Sequence, residues 1–261
     1  MNKNLIFVGI IVLLVLSGVI FIFNQPQEDT SLENFENNEV EEEGDRTEQI
    51  EIAKEDQLPI LKNLGVNINT WDKTTNLAGD LIFDKSLLFD DGQISNDGPF
   101  VEFGHVEKNK PNSSPWIEYW FFVPLETKIQ APTNGVVSIF YIEHSEDWIV
   151  SIQEEESEWI VSLEHILNLE VNDGDAVKAG DIVGEAGLRY GVAFIELAIW
   201  TGGDSIFKYC PFDFLEESLK PIYEQKINLL ANDWEEFIGQ DVYQQEDWVS
   251  PGCLVDKIQE K

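Results

Sequence analysis

VNDGDAVKAGDIVGEAG, residues Val171 to Gly187, places Gly174-Asp175 and Gly180-Asp181 among the apolar residues Val171, Val177, Ile182 and Val183. Glycine reaches positive φ without a Cβ clash and aspartate closes turns with its own carboxylate, so each pair marks a tight turn. With the apolar residues pointing inward, the stretch predicts a short ribbon folded over the end of a β sandwich. The same rhythm continues on both sides. IEYWFFV, APTNG, VVSIFYI, DWIVSIQ and EWIVSLEHI precede the ribbon and VAFIELAIW follows it. Short β-rich runs separated by turn signals such as Asn134-Gly135 predict a mainly antiparallel β domain.

Towards the C-terminus the period changes. Leu219, Ile222, Tyr223, Ile227, Leu230, Trp234, Phe237 and Ile238 recur at helical spacing, which predicts an amphipathic helix over 214–239 with its stripe packed on the sheet. Asp213 with Glu216 has the spacing of a capping box, Gly239 supplies the stop, and Pro221 requires the first turns. Residues 240–261 are read as a tail. Cys210 and Cys253 are the only cysteines. A disulfide between them would close a loop of roughly forty residues, worth about 3 to 4 kcal/mol in the chain-entropy model; two buried thiols are the alternative.

The N-terminus carries a different signal. Leu5 to Phe23 is an uncharged apolar run, close to the length needed to span a ~30 Å hydrocarbon core. Lys3 precedes it and acidic residues follow, so residues 1–4 are expected in the cytoplasm and the body of the chain outside the cell membrane, as a single-pass protein. A cleaved signal peptide is the rival and exports the same body. Residues 24–58 are acidic and nearly free of aromatic residues, the composition of a solvated linker. The formal charge of −34 over 261 residues excludes nucleic acid as a partner, because phosphates would be repelled.

The β region, residues 59–213, resembles the lysostaphin/LytM-type peptidoglycan endopeptidases, whose β domain is called a duplicated hybrid motif. Thr127 to Val137, TKIQAPTNGVV, is similar to that family's G-T-x-V-x-A-P-x-x-G-x-V stretch. Trp159 to His165 is similar to V-x-Y-x-H-L, and Phe194 to Ile199 takes the place of the closing H-L-H-F-E-V strand. Biotinyl and lipoyl carrier domains share the Gly-Asp ribbon, but no lysine stands where they carry the cofactor.

The resemblance implies a zinc ion held by a His-x-x-x-Asp pair and by the second histidine of a His-x-His. The first histidine of that motif and the one in Y-x-H-L assist the attacking water. In this sequence the ligand pair falls on Trp116 and Trp120, and His-x-His falls on Phe194 and Glu196; His165 alone keeps its identity. Indole and phenyl rings offer no lone pair to a metal, so the family's zinc site cannot be assembled and no cofactor is expected. Strand alternation puts Glu118 with Trp120, and Phe194 with Glu196, on shared faces. His165, Glu196, His105 and Glu118 are therefore the candidate residual cleft, with Trp116, Trp120 and Phe194 filling it. A His165–Glu196 hydrogen bond and a rearranged weak metal site both remain open, as do a structural role and a glycan platform for the aromatics. The function expected is a non-catalytic binding or regulatory module at the cell envelope, contacting an envelope protein or cell-wall glycan; the alternative is a metal-dependent hydrolase with a rearranged site.

Overall fold

The computed structural model describes residues 58–87, 98–106, 113–189, 192–203 and 205–260. The expected apolar anchor and nearly all of the acidic linker lie outside them. Among the described residues no helix is long and apolar enough to cross a membrane.

The Gly-Asp ribbon is explained by its partners. Val137 donates its N–H to Asp175 and accepts from Gly174, while Ala131 donates to Asp181 and accepts from Gly180. Ala131 and Val137 are as far apart in sequence as Gly174 and Gly180, so the repeat spacing is an antiparallel register against the APTNGVV stretch. Each turn is also closed internally. The Asp175 carboxylate accepts the Asn172 N–H at 2.8 Å and the Asp181 carboxylate accepts the Lys178 N–H at 2.8 Å. Gly174 and Gly180 take φ of 84° and 95°, values that disfavour a side chain.

Around this unit the strands form one antiparallel sheet. Its central ladder runs through β7 (Gly135–Ile142), β8 (Asp147–Gln153), β9 (Trp159–Leu167), β11 (Ile182–Arg189) and β12 (Val192–Thr201). β6 (Lys128–Gln130) pairs with β11, β10 (Ala176–Val177) caps β7, and β4 (Phe100–Val101) pairs with β5 (Tyr119–Val123), which pairs with β12. Every residue of β5 is buried, so YWFFV packs on both faces and one face of aromatics is not left to solvent. β13 (Phe207–Tyr209) and β14 (Lys257–Gln259) complete the sheet beyond β12.

β1 (Ile68–Asp72), β2 (Leu77–Gly79) and β3 (Leu81–Ile82) form a separate three-stranded sheet. Two sequence expectations are corrected here. The helix α1 spans Lys220–Ile238, not 214–239, and its N-cap Leu219 has no side-chain cap. Asp213 instead accepts from the Ser250 hydroxyl at 2.6 Å, and Glu216 is held by Lys62, so the spacing of a capping box is spent on tertiary contacts. Pro221 does lie in the first turn and Gly239 ends the helix at φ 73°. The stripe of α1 packs on the small sheet, with Trp234 edge-on to Phe83 at 5.4 Å and Phe237 against Trp71 at 5.4 Å.

The expected tail is part of the core. Tyr243 stacks on Phe100 at 4.6 Å and donates to its carbonyl at 2.9 Å, and β14 pairs with β13. Cys210 and Cys253 are disulfide-bonded and fully buried. Reduction is expected to lower unfolding free energy by roughly 3 to 4 kcal/mol through the freed loop. Guanidinium unfolding with and without dithiothreitol measures this, and a change below about 1 kcal/mol would show that packing alone holds the C-terminal segment.

Candidate functional site

The site is built on an irregularity in β9. Up to Glu164 this strand pairs with β12, with Glu164 opposite Glu196; from Ile166 it pairs with β11, opposite Ala186. Its register against β8 slips by a residue between Leu163 and Ile166. His165 sits at the switch with φ 61°, a left-handed conformation uncommon for a residue with a Cβ. A bulge of this kind re-aims the bulged side chain. The last glycines of the quoted stretch permit it. A Cβ on Gly187 would lie 2.5 Å from the His165 carbonyl oxygen, and one on Gly184 would lie 2.7 Å from the Leu167 carbonyl oxygen.

The re-aimed imidazole is held at both nitrogens. Nδ1 lies 2.6 Å from Asp147 Oδ2 and Nε2 lies 3.3 Å from Glu196 Oε1. Phe194 lies against the ring, with centroids 4.5 Å apart. Burial pushes the His165 pKa down, but the hydrogen bonds to Asp147 and Glu196 outweigh it and the net value rises to about 9. Burial pushes Asp147 up, and the bonds from His165 and Ser145 more than reverse this, leaving it below the ordinary carboxylate value. Both shifts have the sign expected of an imidazole clamped between two carboxylates.

Beside it opens a cleft of about 340 Å³, lined among others by Trp116, Glu118, Trp120, Glu164, His165 and Glu196. Trp120, Glu196 and Glu164 stand in one row across β5, β12 and β9. The indoles of Trp116 and Trp120 meet edge to face at 4.1 Å, and Trp120 lies tilted against buried Phe194 at 5.1 Å. Lys208, on β13, donates to Glu118 Oε1 at 3.1 Å and lies 4.0 Å from Glu164 Oε1. Burial raises Glu118 to about 7 even with Lys208 beside it, and burial with the nearby Glu196 charge raises Glu164.

Four sequence candidates thus separate into two groups. His165, Glu196 and Glu118 meet in this cleft. His105 does not line it: its ring is buried 3.6 Å from Glu102, whose carboxylate also accepts from the Trp248 indole. The return of the C-terminal segment onto β4 takes it there. Phe194 lies beneath the cleft, not in its wall. Sequence reasoning missed Asp147, Glu164 and Lys208. Glu164 was within reach through its place beside His165, whereas Asp147 reaches His165 only because of the one-residue bulge.

A model of peptidase family M23 matches residues 119–202. The chain carries an M23-type, LytM-like domain. Solved structures similar to the chain include LytU, at 29% identity over 40% of this chain and 74% of that one, with TM-score 0.36. A variant of the catalytic domain of EnpA, a prophage-encoded M23 protein from Enterococcus faecalis, is 22% identical over 40% and 83% of the two chains, with TM-score 0.35. Lysostaphin from Staphylococcus simulans is 19% identical over 40% and 43%, with TM-score 0.35. No curated relative matches the chain.

The zinc ion of M23-type peptidases does not fit the residues present. The three ligand positions do converge in this domain, with Trp116 against Trp120 and Trp120 opposite Glu196. Together they offer a single carboxylate donor, and the adjacent His165 has its nitrogens turned to Asp147 at 2.6 Å and Glu196 at 3.3 Å. Among the described residues, no group of three His, Cys, Asp or Glu side chains could hold a metal.

Two outcomes test this geometry. Gly187→Ala forces β9 from β11 and is expected to destabilise the fold by about 1 to 3 kcal/mol, with a displaced His165 ring resonance in NMR spectra. Second, His165 has a folded pKa of about 9, above the ordinary 6.5, so its contribution is fully present below pH 6.5 and lost as pH rises through 9. Glu118, raised to about 7 from 4.5, acts in the same direction between those values. For His165 alone the loss is on the order of 3 kcal/mol, or roughly 10 °C in Tm. A Tm that holds steady from pH 6 to 9.5, or an imidazole titrating near 6.5 in NMR, would contradict the clamp.

Proposed function

We propose that this chain is a membrane-tethered, extracytoplasmic relative of the M23 peptidases that binds instead of cutting, as a regulatory or scaffolding module at the cell envelope. The observation that carries the reading is the Trp116–Trp120 pair at the metal-ligand positions, beside an imidazole whose two nitrogens face Asp147 and Glu196. Hydrolysis in this family needs a Lewis acid to polarise the carbonyl and a base to activate water; the cleft residues supply neither in the family's form. The export reading is supported by the Leu5 to Phe23 run behind Lys3 and by the disulfide, which persists in oxidising compartments. The partner class of this reading is an envelope protein or cell-wall glycan.

A second reading keeps hydrolytic chemistry. Glu118, with its pKa near 7, shares the cleft with Glu164 and Glu196, and a group of that pKa can serve as general base. The experiment that separates the two incubates the purified exported region with peptidoglycan, with and without added zinc, and measures released amino groups. The expected result is no release above buffer in either case, together with retention of the protein by a peptidoglycan or envelope-protein fraction. Zinc-dependent release that is abolished by Glu196→Gln would establish the hydrolase.

A further inference from the structure

The cleft beside His165 has a neighbour with which it shares a wall residue. A hollow of about 230 Å³, lined by Phe140, Ile149, Trp200, Ile206 and Lys208 among others, shares Glu164 with the first. Ser151 and Ser162 face each other across β8 and β9 at 3.0 Å, and the Trp200 indole donates to Ser162 at 2.9 Å, so both cavities lie on the same face of the sheet. The result is a groove across β5, β12, β9, β8 and β7, walled by Trp116 and Trp120 at one end and by Trp200 and Phe140 at the other. Phe140 is 59% exposed. Aromatic walls of this kind cover the apolar stems of long side chains and attract cations over their faces.

The charges in the groove select its occupant. Glu118, Glu164, Glu196 and Glu260 line it, with Asp147 behind His165. Glu118 is bonded to Lys208, and Asp147 and Glu196 hold His165, while His144 also lines the first cavity; Glu164, 4.0 Å from Lys208, and Glu260 are the carboxylates on the side of the second cavity. The carboxylates of the groove exceed its cations, and the chain as a whole is strongly acidic. A neutral glycan would leave that excess unmet, and a polyanion would be repelled. We propose that the groove binds an extended, lysine- or arginine-bearing segment of a partner protein, its cationic heads on Glu164 and Glu260 and its stems against Trp200 and Phe140. This rests on the binding-module reading above and gives that module its ligand chemistry. The apolar walls fix position and the carboxylates fix the sign of the charge.

The test uses fluorescein-labelled peptides of about twelve residues alternating glycine with lysine, glutamate or serine, and follows anisotropy with the exported region. The lysine peptide is expected to bind at least tenfold more tightly than the other two. The double substitution Glu164→Gln with Glu260→Gln should weaken it about tenfold, and Phe140→Ser severalfold. Glu154→Gln with Glu155→Gln, exposed at the β8–β9 turn, should leave affinity unchanged; melting curves confirm that each variant is folded. Equal weakening by the two charge pairs would reduce the effect to bulk acidity and overturn the assignment. So would equal binding of the serine peptide, or displacement of the lysine peptide by chitooligosaccharide. Mass spectra of the same mixtures separate the two readings. Cleavage of a bound peptide defeats the non-catalytic reading and leaves the groove's ligand intact, while no binding without cleavage defeats only this inference.

Discussion

At the heart of the site, β11 leaves no room for a side chain at Gly187, where a Cβ would lie 2.5 Å from the carbonyl oxygen of His165 on β9. Everything distinctive about the cleft follows from it. Because β11 comes in that close, β9 can hand over from β12 to β11 within a single residue. That residue takes a left-handed conformation and its ring turns towards Asp147 on β8 and Glu196 on β12. A side chain at Gly187 would separate the strands, and the imidazole would lose the geometry that places both nitrogens on carboxylates. The strain of a positive φ is tolerated here because three strands determine the position together.

That constraint ties the glycine-rich stretch to the chemistry in a way its pattern alone does not announce. The Gly-Asp spacing read directly as two turns, and the structure adds what they turn against: Ala131 and Val137, one antiparallel register away. The β strands, the disulfide and the helix stop at Gly239 were likewise legible, because local periodicity and a single cysteine pair determine them. The helix start was not. Asp213 and Glu216 have capping spacing, yet Ser250 and Lys62 claim their side chains, and a pattern within one segment cannot show a competitor from distant segments. The small sheet of β1 to β3 was missed for a related reason: its strands are too short for alternation to stand out from the loops around them.

In the cleft, legibility stopped at identity. Alignment of motifs located Trp116, Trp120, Phe194, Glu196 and His165, and strand alternation put Glu196 on the right face. It could not find Asp147, because a bulge shifts cross-strand pairing by one residue, and one residue reverses the side chain's face. It also misplaced His105. That residue follows Gly104 into a segment that the returning chain covers, where Glu102 binds the Trp248 indole, so its neighbours come from the C-terminal end of the sequence and not from the sheet.

The C-terminal segment also bears on the cleft itself. Lys208, the cation beside Glu118 and Glu164, lies on β13, a three-residue strand. A strand that short has little hold on a sheet through its own hydrogen bonds. β13 is held on one side by β12 and on the other by β14, and Cys210, immediately after it, is bonded to Cys253. The disulfide thus positions a charge inside the groove as well as closing a loop. His165, turned by a bulge, and Lys208, on a covalently fastened edge strand, thus hold Asp147, Glu196 and Glu118 in place beside the Trp116–Trp120 pair, with Glu164 4.0 Å from Lys208, and both holds depend on contacts distant in sequence.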